Sequence, residues 1–280
     1  MIALHRDEPD YPAALRDLPQ GPATLWVDGD PQTLGRSCVA IVGTRRMTPY
    51  GERVARELAA GLVAAGALIL SGLAQGIDCA AHASALQAGG SSAAVLGEGL
   101  TSFLANAHGR RRRLAADLRE HGAIVSPYPP LMPAQGWMFA KRNAVIAALA
   151  GAVVVAEAPD SSGALITADH ARRLGRPLFA VPGPLGARAS EGTNALIASG
   201  VARACLGPAD VAAAIGLVAS PHARTADPVL DALAAGPLDL DELARRVGVD
   251  RSGLRARVVG LVLSGAIVDR GDGRFGRAPG

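Results

Sequence analysis

The residues able to do chemistry in this chain sit in a few glycine-bearing stretches that carry arginines, hydroxyls, one lysine and an aromatic ring. The stretch VGTRRMTPYG (42–51) follows an apolar run and opens a helical pattern. Gly43 and Thr44 allow a sharp turn, the amides at the next helix start can face an anion, and Arg45 and Arg46 add planar donors. It is not a G-x-G-x-x-G fingerprint, and alone it would serve equally as a plain turn with exposed arginines. In WMFAKRNAVIAALA (137–150), Trp137 and Phe139 precede Lys141, Arg142 and Asn143. Rings interleaved with cations suit an unpaired nucleic-acid strand, whose bases stack while its phosphates pair; the alternative is a helix start whose rings plug the core.

Two further loops have the composition of anion cradles. Ser161, Ser162 and Gly163 come just before a helix, with Thr167 one turn in, and the loop in VPGPLGARASEGTNALI (181–197) ends at Gly192, Thr193 and Asn194. One such loop says little, whereas several on one sheet edge would make a phosphate-binding rim. In SGLAQGIDCAAH (71–82), Asp78 and His82 lie four apart, a spacing that suits a metal or acid–base pair. No other cluster completes a metal site, so a structural role is expected, with neither metal nor cofactor. The run Arg110–Arg113 is either a path for a strand or a solvated helix face. There is no G-x-S-x-G elbow and no Walker lysine, so the ionisable residues assemble no enzyme.

The elements that must hold these loops follow from composition and periodicity. Hydrophobic residues are 49% of the 280 and charged residues 19%, which excludes a disordered chain. The net charge of +3 neither demands nor forbids nucleic acid. Cys38, Cys79 and Cys205 form no CxxC pair, which argues against a zinc or disulfide framework. The N-terminus lacks a signal-peptide core, and apolar windows such as 58–70 are short and interrupted by glycine. A cytoplasmic protein without membrane insertion is expected.

Residues 1–36, rich in proline, read as a turn-rich leading segment. From 37 to 215, apolar strand patterns (38–43, 67–70, 92–97, 123–126, 152–158, 177–183, 201–204) alternate with helical ones (50–66, 78–88, 110–121, 140–149, 164–174, 193–199, 208–215). That alternation predicts an α/β fold with a doubly wound, mainly parallel sheet, which binds ligands beyond the carboxyl ends of its strands. A linker is expected at 216–227. In 228–280, three helical stretches precede two short strands around Gly271–Asp272–Gly273, the plan of a winged helix, with Asp239 as a helix cap and Gly248 as a stop. Arg251, Arg255, Arg270 and Arg274 could make a local positive face there, although the arginines of 227–280 are matched by as many acids. Contact with double-stranded DNA and contact with protein are both open.

The ordered set VAIVGTRRMTPYG, SGLAQGIDCAAH, AVLGEGL, FAKRNAVIAAL, VVVAEAPDSSGALITADHA and FAVPGPLGARASEGTNALIASG resembles the DNA-processing protein A (DprA/Smf) family. The likeness runs from about residue 10 to 215. It implies an extended Rossmann-like core that binds single-stranded DNA without base preference, protects incoming DNA during natural transformation and loads the RecA recombinase. It further implies a homodimer and no catalysis. On its motifs, the DNA-binding positions would be Gly43, Thr44, Arg45 and Arg46, then Phe139, Lys141, Arg142 and Asn143, with Ser162, Gly163 and Thr167 and with Gly192, Thr193 and Asn194 on its loops. The chain departs from the family at Ser126–Pro127–Tyr128–Pro129, where a carboxylate is usual, and at Phe103–Leu104–Ala105, where Tyr-Pro is. An alternative function is a nucleotide-hydrolysing enzyme of the phosphoribohydrolase type. Its P-G-G-x-G-T-x-x-E loop is not matched: Pro184 replaces a glycine, and Leu196 stands where the glutamate is needed.

Overall fold

A computed structural model describes residues 1–217, 228–263, 266–271 and 273–277, apart from the side chains of 235, 251–253, 256 and 263. The chain divides into two units, Met1–Pro221 and His222–Gly280. The expected linker lies outside the described residues from 218 onward.

The larger unit is built on nine strands: β1 (Ile2–His5), β2 (Thr24–Gly29), β3 (Cys38–Gly43), β4 (Leu68–Ser71), β5 (Ser92–Val95), β6 (Gly122–Ser126), β7 (Ala152–Glu157), β8 (Leu178–Ala180) and β9 (Arg203–Ala204). Their order is β1-β2-β6-β5-β4-β3-β7-β8-β9. From β6 to β9 every neighbour is parallel. Its helices are α1 (Ala13–Arg16), α2 (Pro49–Ala64), α3 (Ile77–Gln87), α4 (Leu100–Asn106), α5 (Gly109–His121), α6 (Gly136–Leu149), α7 (Ala164–Arg173), α8 (Glu191–Ala198) and α9 (Pro208–Ala214). This is the expected doubly wound, Rossmann-like α/β architecture.

Strands β3 to β7 are continuous apolar runs because both of their faces are covered. Val39, Ile41, Ile69 and Val154 face α2, α3 and α9. Ala40, Val42, Leu70, Val153 and Val155 face the other way, against Ile146 of α6 and Ala168 of α7. α4 and α5 cover the flank of β5 and β6 through Leu100, Phe103, Leu114 and Leu118. The sequence-predicted strands and helices all appear, with boundaries shifted by a few residues.

Three features were not expected. Residues 1–36 are more than a leading segment: β1 pairs antiparallel with β2, and β2 with β6, so they extend the sheet. Leu25 and Val27 are buried there while Thr24 and Trp26 are only partly covered, an alternation hidden among prolines. A short helix, α4, precedes the arginine-rich one. Finally, α6 begins a turn early, at Gly136, so Trp137 and Phe139 are helical.

The smaller unit has its own core of Val229, Leu233, Leu243, Leu254, Val258 and Ile267. Its helices are α10 (Pro228–Ala232), α11 (Leu240–Val247) and α12 (Arg251–Leu263), and its strands are β10 (Leu238–Asp239), β11 (Ile267–Asp269) and β12 (Arg274–Arg277), in the antiparallel order β10-β12-β11. Asp239 caps α11 by accepting the Glu242 amide at 2.8 Å, and Gly248 ends it at φ 71°. Among the described residues, no helix is long and apolar enough to cross a membrane.

Candidate nucleic-acid interface

The strand order reverses direction between β3 and β7: β4, β5 and β6 follow on one side of β3, β7 and β8 on the other. Beyond the carboxyl ends of these two strands their loops diverge and leave a cleft, as at other switch points of open sheets. A cavity of about 430 Å³ lies there. Ten of the sequence-predicted residues line it: Gly43, Thr44, Arg45, Arg46, Phe139, Arg142, Asn143, Ser162, Gly163 and Thr167. Lys141, Gly192, Thr193 and Asn194 do not.

The split within 137–143 is helical geometry. Residues two apart on a helix point to different sides, and residues three or four apart share one. Phe139, Arg142, Asn143 and Ile146 therefore face the cavity together. Lys141 is exposed beside a different hollow, with Pro19, Gly21, Tyr128 and His170. Trp137, four residues before it, is 52% exposed, meets the Tyr128 ring edge-on at 6.0 Å and donates to Gln135 Oε1. Neither is placed to act with Phe139.

Phe139 is flanked closely. A Cβ on Gly97 would come within 2.6 Å of its Cδ1, so only glycine leaves room for the ring. The Arg45 guanidinium lies 5.5 Å from the ring centroid, within cation–π range. Ring and guanidinium form one unit, and both offer flat surfaces to a base. Asn143 ties α6 to the neighbouring loop by donating to the Gly163 carbonyl at 3.1 Å, and Ser162 Oγ accepts the Ala164 amide at 3.3 Å. Thr167 is buried.

The loop after β3 corrects the expectation of an amide cradle. The Thr44 amide donates to the Glu157 carbonyl at 2.7 Å, the Arg46 amide to Thr44 Oγ1 at 3.2 Å and the Thr48 amide to Glu157 Oε2 at 2.8 Å. The Thr48 hydroxyl donates to Glu157 Oε1 at 2.5 Å. These donors are spent on shape, and the exposed side chains of Arg45 and Arg46 are what the loop presents. Glu157, only 2% exposed, organises the loop from the end of β7. Sequence reasoning missed it; the available signal was a carboxylate closing an otherwise apolar strand, AVVVAE.

Arg142 lies beneath this surface. It is 4% exposed and donates through Nη1 to the Val95 carbonyl. A side chain on Gly72 would collide with its guanidinium. Burial lowers it to about 10, against the pull of Asp78. Burial also pushes Asp78 above the ordinary carboxylate value, although Arg142 and the Ala74 and Gly72 amides oppose this. Asp78 accepts those two amides and so braces the loop before α3. Arg142 is thus a structural cation in the cavity floor, and its expected role as an open phosphate contact is corrected by its burial. Asp78 and His82 do not act as a pair. His82 Nδ1 lies 2.7 Å from Ser92 Oγ, and burial lowers the imidazole to about 3. Among the described residues, no cluster could hold a metal ion.

Gly192, Thr193 and Asn194 are consumed by the fold, another correction. The Gly192 amide donates to the Ala158 carbonyl, and the Thr193 hydroxyl to the Ser190 carbonyl at 3.0 Å. Asn194 accepts from the Gly183 amide and donates to the Gly183 carbonyl, both at 3.1 Å. In the smaller unit, Arg255, Arg270 and Arg274 are exposed, while the Arg251 side chain lies outside the described residues.

The sequence model of the DNA recombination-mediator protein A family matches residues 2–216. Protein Smf of Escherichia coli is 43% identical over 196 residues, covering 69% of this chain and 51% of the relative. The chain spans about half the length of curated relatives it matches, such as the Escherichia coli protein. The X-ray structure of DNA processing protein A from Streptococcus pneumoniae superposes with a TM-score of 0.71 at 35% identity, over 76% of this chain and 73% of that one. A Helicobacter pylori DNA processing protein A, whose structure describes its single-stranded DNA binding mode, gives 0.65 at 30% identity, over 71% and 90%.

Proposed function

The chain belongs to the DNA recombination-mediator protein A family, and from that premise we propose that its larger unit binds single-stranded DNA without base-sequence preference. The observation that carries this reading is the Arg45–Phe139 unit in the switch-point cavity. A ring and a guanidinium give bases flat partners, and Arg45 with Arg46 meets phosphates. Stacking contributes roughly 1–3 kcal/mol per base and tolerates any sequence. The H. pylori relative's described binding mode supports the same reading.

In this proposal the protein is non-catalytic. It shields incoming DNA during natural transformation, acts as a homodimer and loads RecA recombinase onto the strand. Residues 228–280 form a winged helix after a linker at 216–227, and Arg251, Arg255, Arg270 and Arg274 are its candidate contacts, to duplex DNA or to protein. The order of three helices and then a hairpin supports that assignment.

The test is a titration with single-stranded and double-stranded oligonucleotides at two salt concentrations. We expect preference for the single strand and affinity that falls steeply with salt as counterions are released. Binding to single strands that is unchanged in both Arg45→Ala and Phe139→Ala would reject this site. Steady release of free base from a nucleoside monophosphate would favour the hydrolase alternative.

A further inference from the structure

The strand-binding cavity leaves one strongly charged patch unexplained. α5 opens with Gly109 and four consecutive arginines, and its first turn contains no acid. Cations crowd the positive end of the helix dipole, a placement that costs stability unless an anion offsets it. The four differ in role. Arg111 is structural: its Nε donates to the Leu73 carbonyl at 2.9 Å, and its guanidinium covers the Phe103 ring at 4.7 Å. Arg110, Arg112 and Arg113 are exposed, and among the described residues their side chains make no ion pair. The next acid on the helix, Asp117, lies outside the first turn.

Topology places this patch beside the cavity. In a parallel sheet the helices run back against the strands, so the starts of α2, α3, α5 and α7 all lie at the carboxyl edge. α5 packs on α3. The loop leading into α3 supplies Ala74 to the cavity and Leu73 to Arg111. Arg45 and Arg111 both lie near enough to Arg142 to depress its pKa. Arg142 itself is 4% exposed, and among the described residues its Nε has no hydrogen-bond partner. Cations therefore continue from Arg45, over the buried Arg142, to the exposed face of α5.

We propose that Arg110, Arg112 and Arg113 form a second phosphate-contacting patch, onto which a single strand held in the switch-point cavity continues across the loop before α3. This rests on the strand-binding reading above. The partner is the sugar–phosphate chain of the same strand, met by charge alone, since Phe103, the ring that Arg111 covers, is buried. The patch therefore contributes length and salt dependence and leaves base preference unchanged.

The test uses the full chain and fluorescently labelled single-stranded oligonucleotides of about 4 and about 16 nucleotides, spanning the usual range of site sizes. Arg110→Ala, Arg112→Ala and Arg113→Ala are combined, with Arg111 retained. We expect the short oligonucleotide to bind as it does to the unsubstituted protein. The long one should bind at least about tenfold more weakly, with a log–log salt slope shallower by about 2, as three lost contacts on a single strand require. Replacing the same three residues with lysine should restore the slope. Unchanged affinity and slope with the long oligonucleotide would overturn the proposal. So would equal weakening of both lengths, or a lysine variant as shallow as the alanine one. Failure of the unsubstituted protein to bind either oligonucleotide would instead remove the strand-binding reading itself.

Discussion

Two glycine-bearing loops on the same sheet edge, 43–48 and 183–194, look alike in composition but differ in what they leave to offer. In the first, amides are tied to Thr44 and Glu157, yet Arg45 and Arg46 remain exposed and Arg45 covers Phe139. In the second, Thr193 is buried, and both ends of the Asn194 amide are closed on Gly183. The difference teaches that a loop of small polar residues is a site only if some of its polar groups are left over after the fold has been satisfied. A buried polar group must find a partner, and the nearest partner is usually the chain itself.

That contrast can be tested from its foundation outward. Asp78→Ala should be the most damaging change, because it leaves Arg142 buried without its acid and frees the Gly72 and Ala74 amides. We expect a loss of about 3 kcal/mol or more in denaturant unfolding; a loss well under 1 kcal/mol would show that Arg142 can reach water. Phe139→Ala should weaken single-stranded DNA by about tenfold to a hundredfold, one stacked base's share, with little change in stability. Asn194→Ala is its counterpart. It should cost about 1–2 kcal/mol of stability and leave DNA affinity where it was. A DNA defect in a folded Asn194→Ala protein would erase the distinction between the loops. Gly97→Ala should have a smaller effect, displacing the Phe139 ring and reducing DNA affinity by a few-fold in a mobility-shift titration.

His82 sharpens the interior side of the comparison. Its ordinary value is 6.5, and burial holds it at about 3 in the folded protein. Between those values the unfolded chain binds the extra proton and the folded one does not. The stability contributed by the neutral imidazole is therefore complete above about 6.5 and declines as pH falls toward about 3. His82→Asn should flatten that part of the stability profile, and an unchanged profile would show that other groups dominate acid unfolding.

Most of the fold was legible in the sequence because buried parallel strands are unbroken apolar runs and each is followed by a loop and a helical period. The leading segment was misread because Pro22 and the prolines before it mask the short alternation of β2. Within the site, simple spacing could have separated Phe139 from Lys141, since two residues along a helix is half a turn or more. The fates of Arg142, Glu157 and Asn194 were not legible. Arg142 and Glu157 are decided by partners far along the chain, Val95 and Thr48, and Asn194 by Gly183 at the other end of its own loop. No local pattern records which distant backbone will consume a given donor.

The antiparallel pairing of β2 with β6 has a consequence for how the chain is made. Ribosomes deliver the β1–β2 pair well before β6, and its seat is not complete until Ser126 has emerged. At roughly 5–20 residues per second, these two strands wait on the order of 5–20 s with an edge uncovered. A pair made about 100 residues before its partner strand thus docks late, and nascent chains cut short of β6 should expose it to other strands.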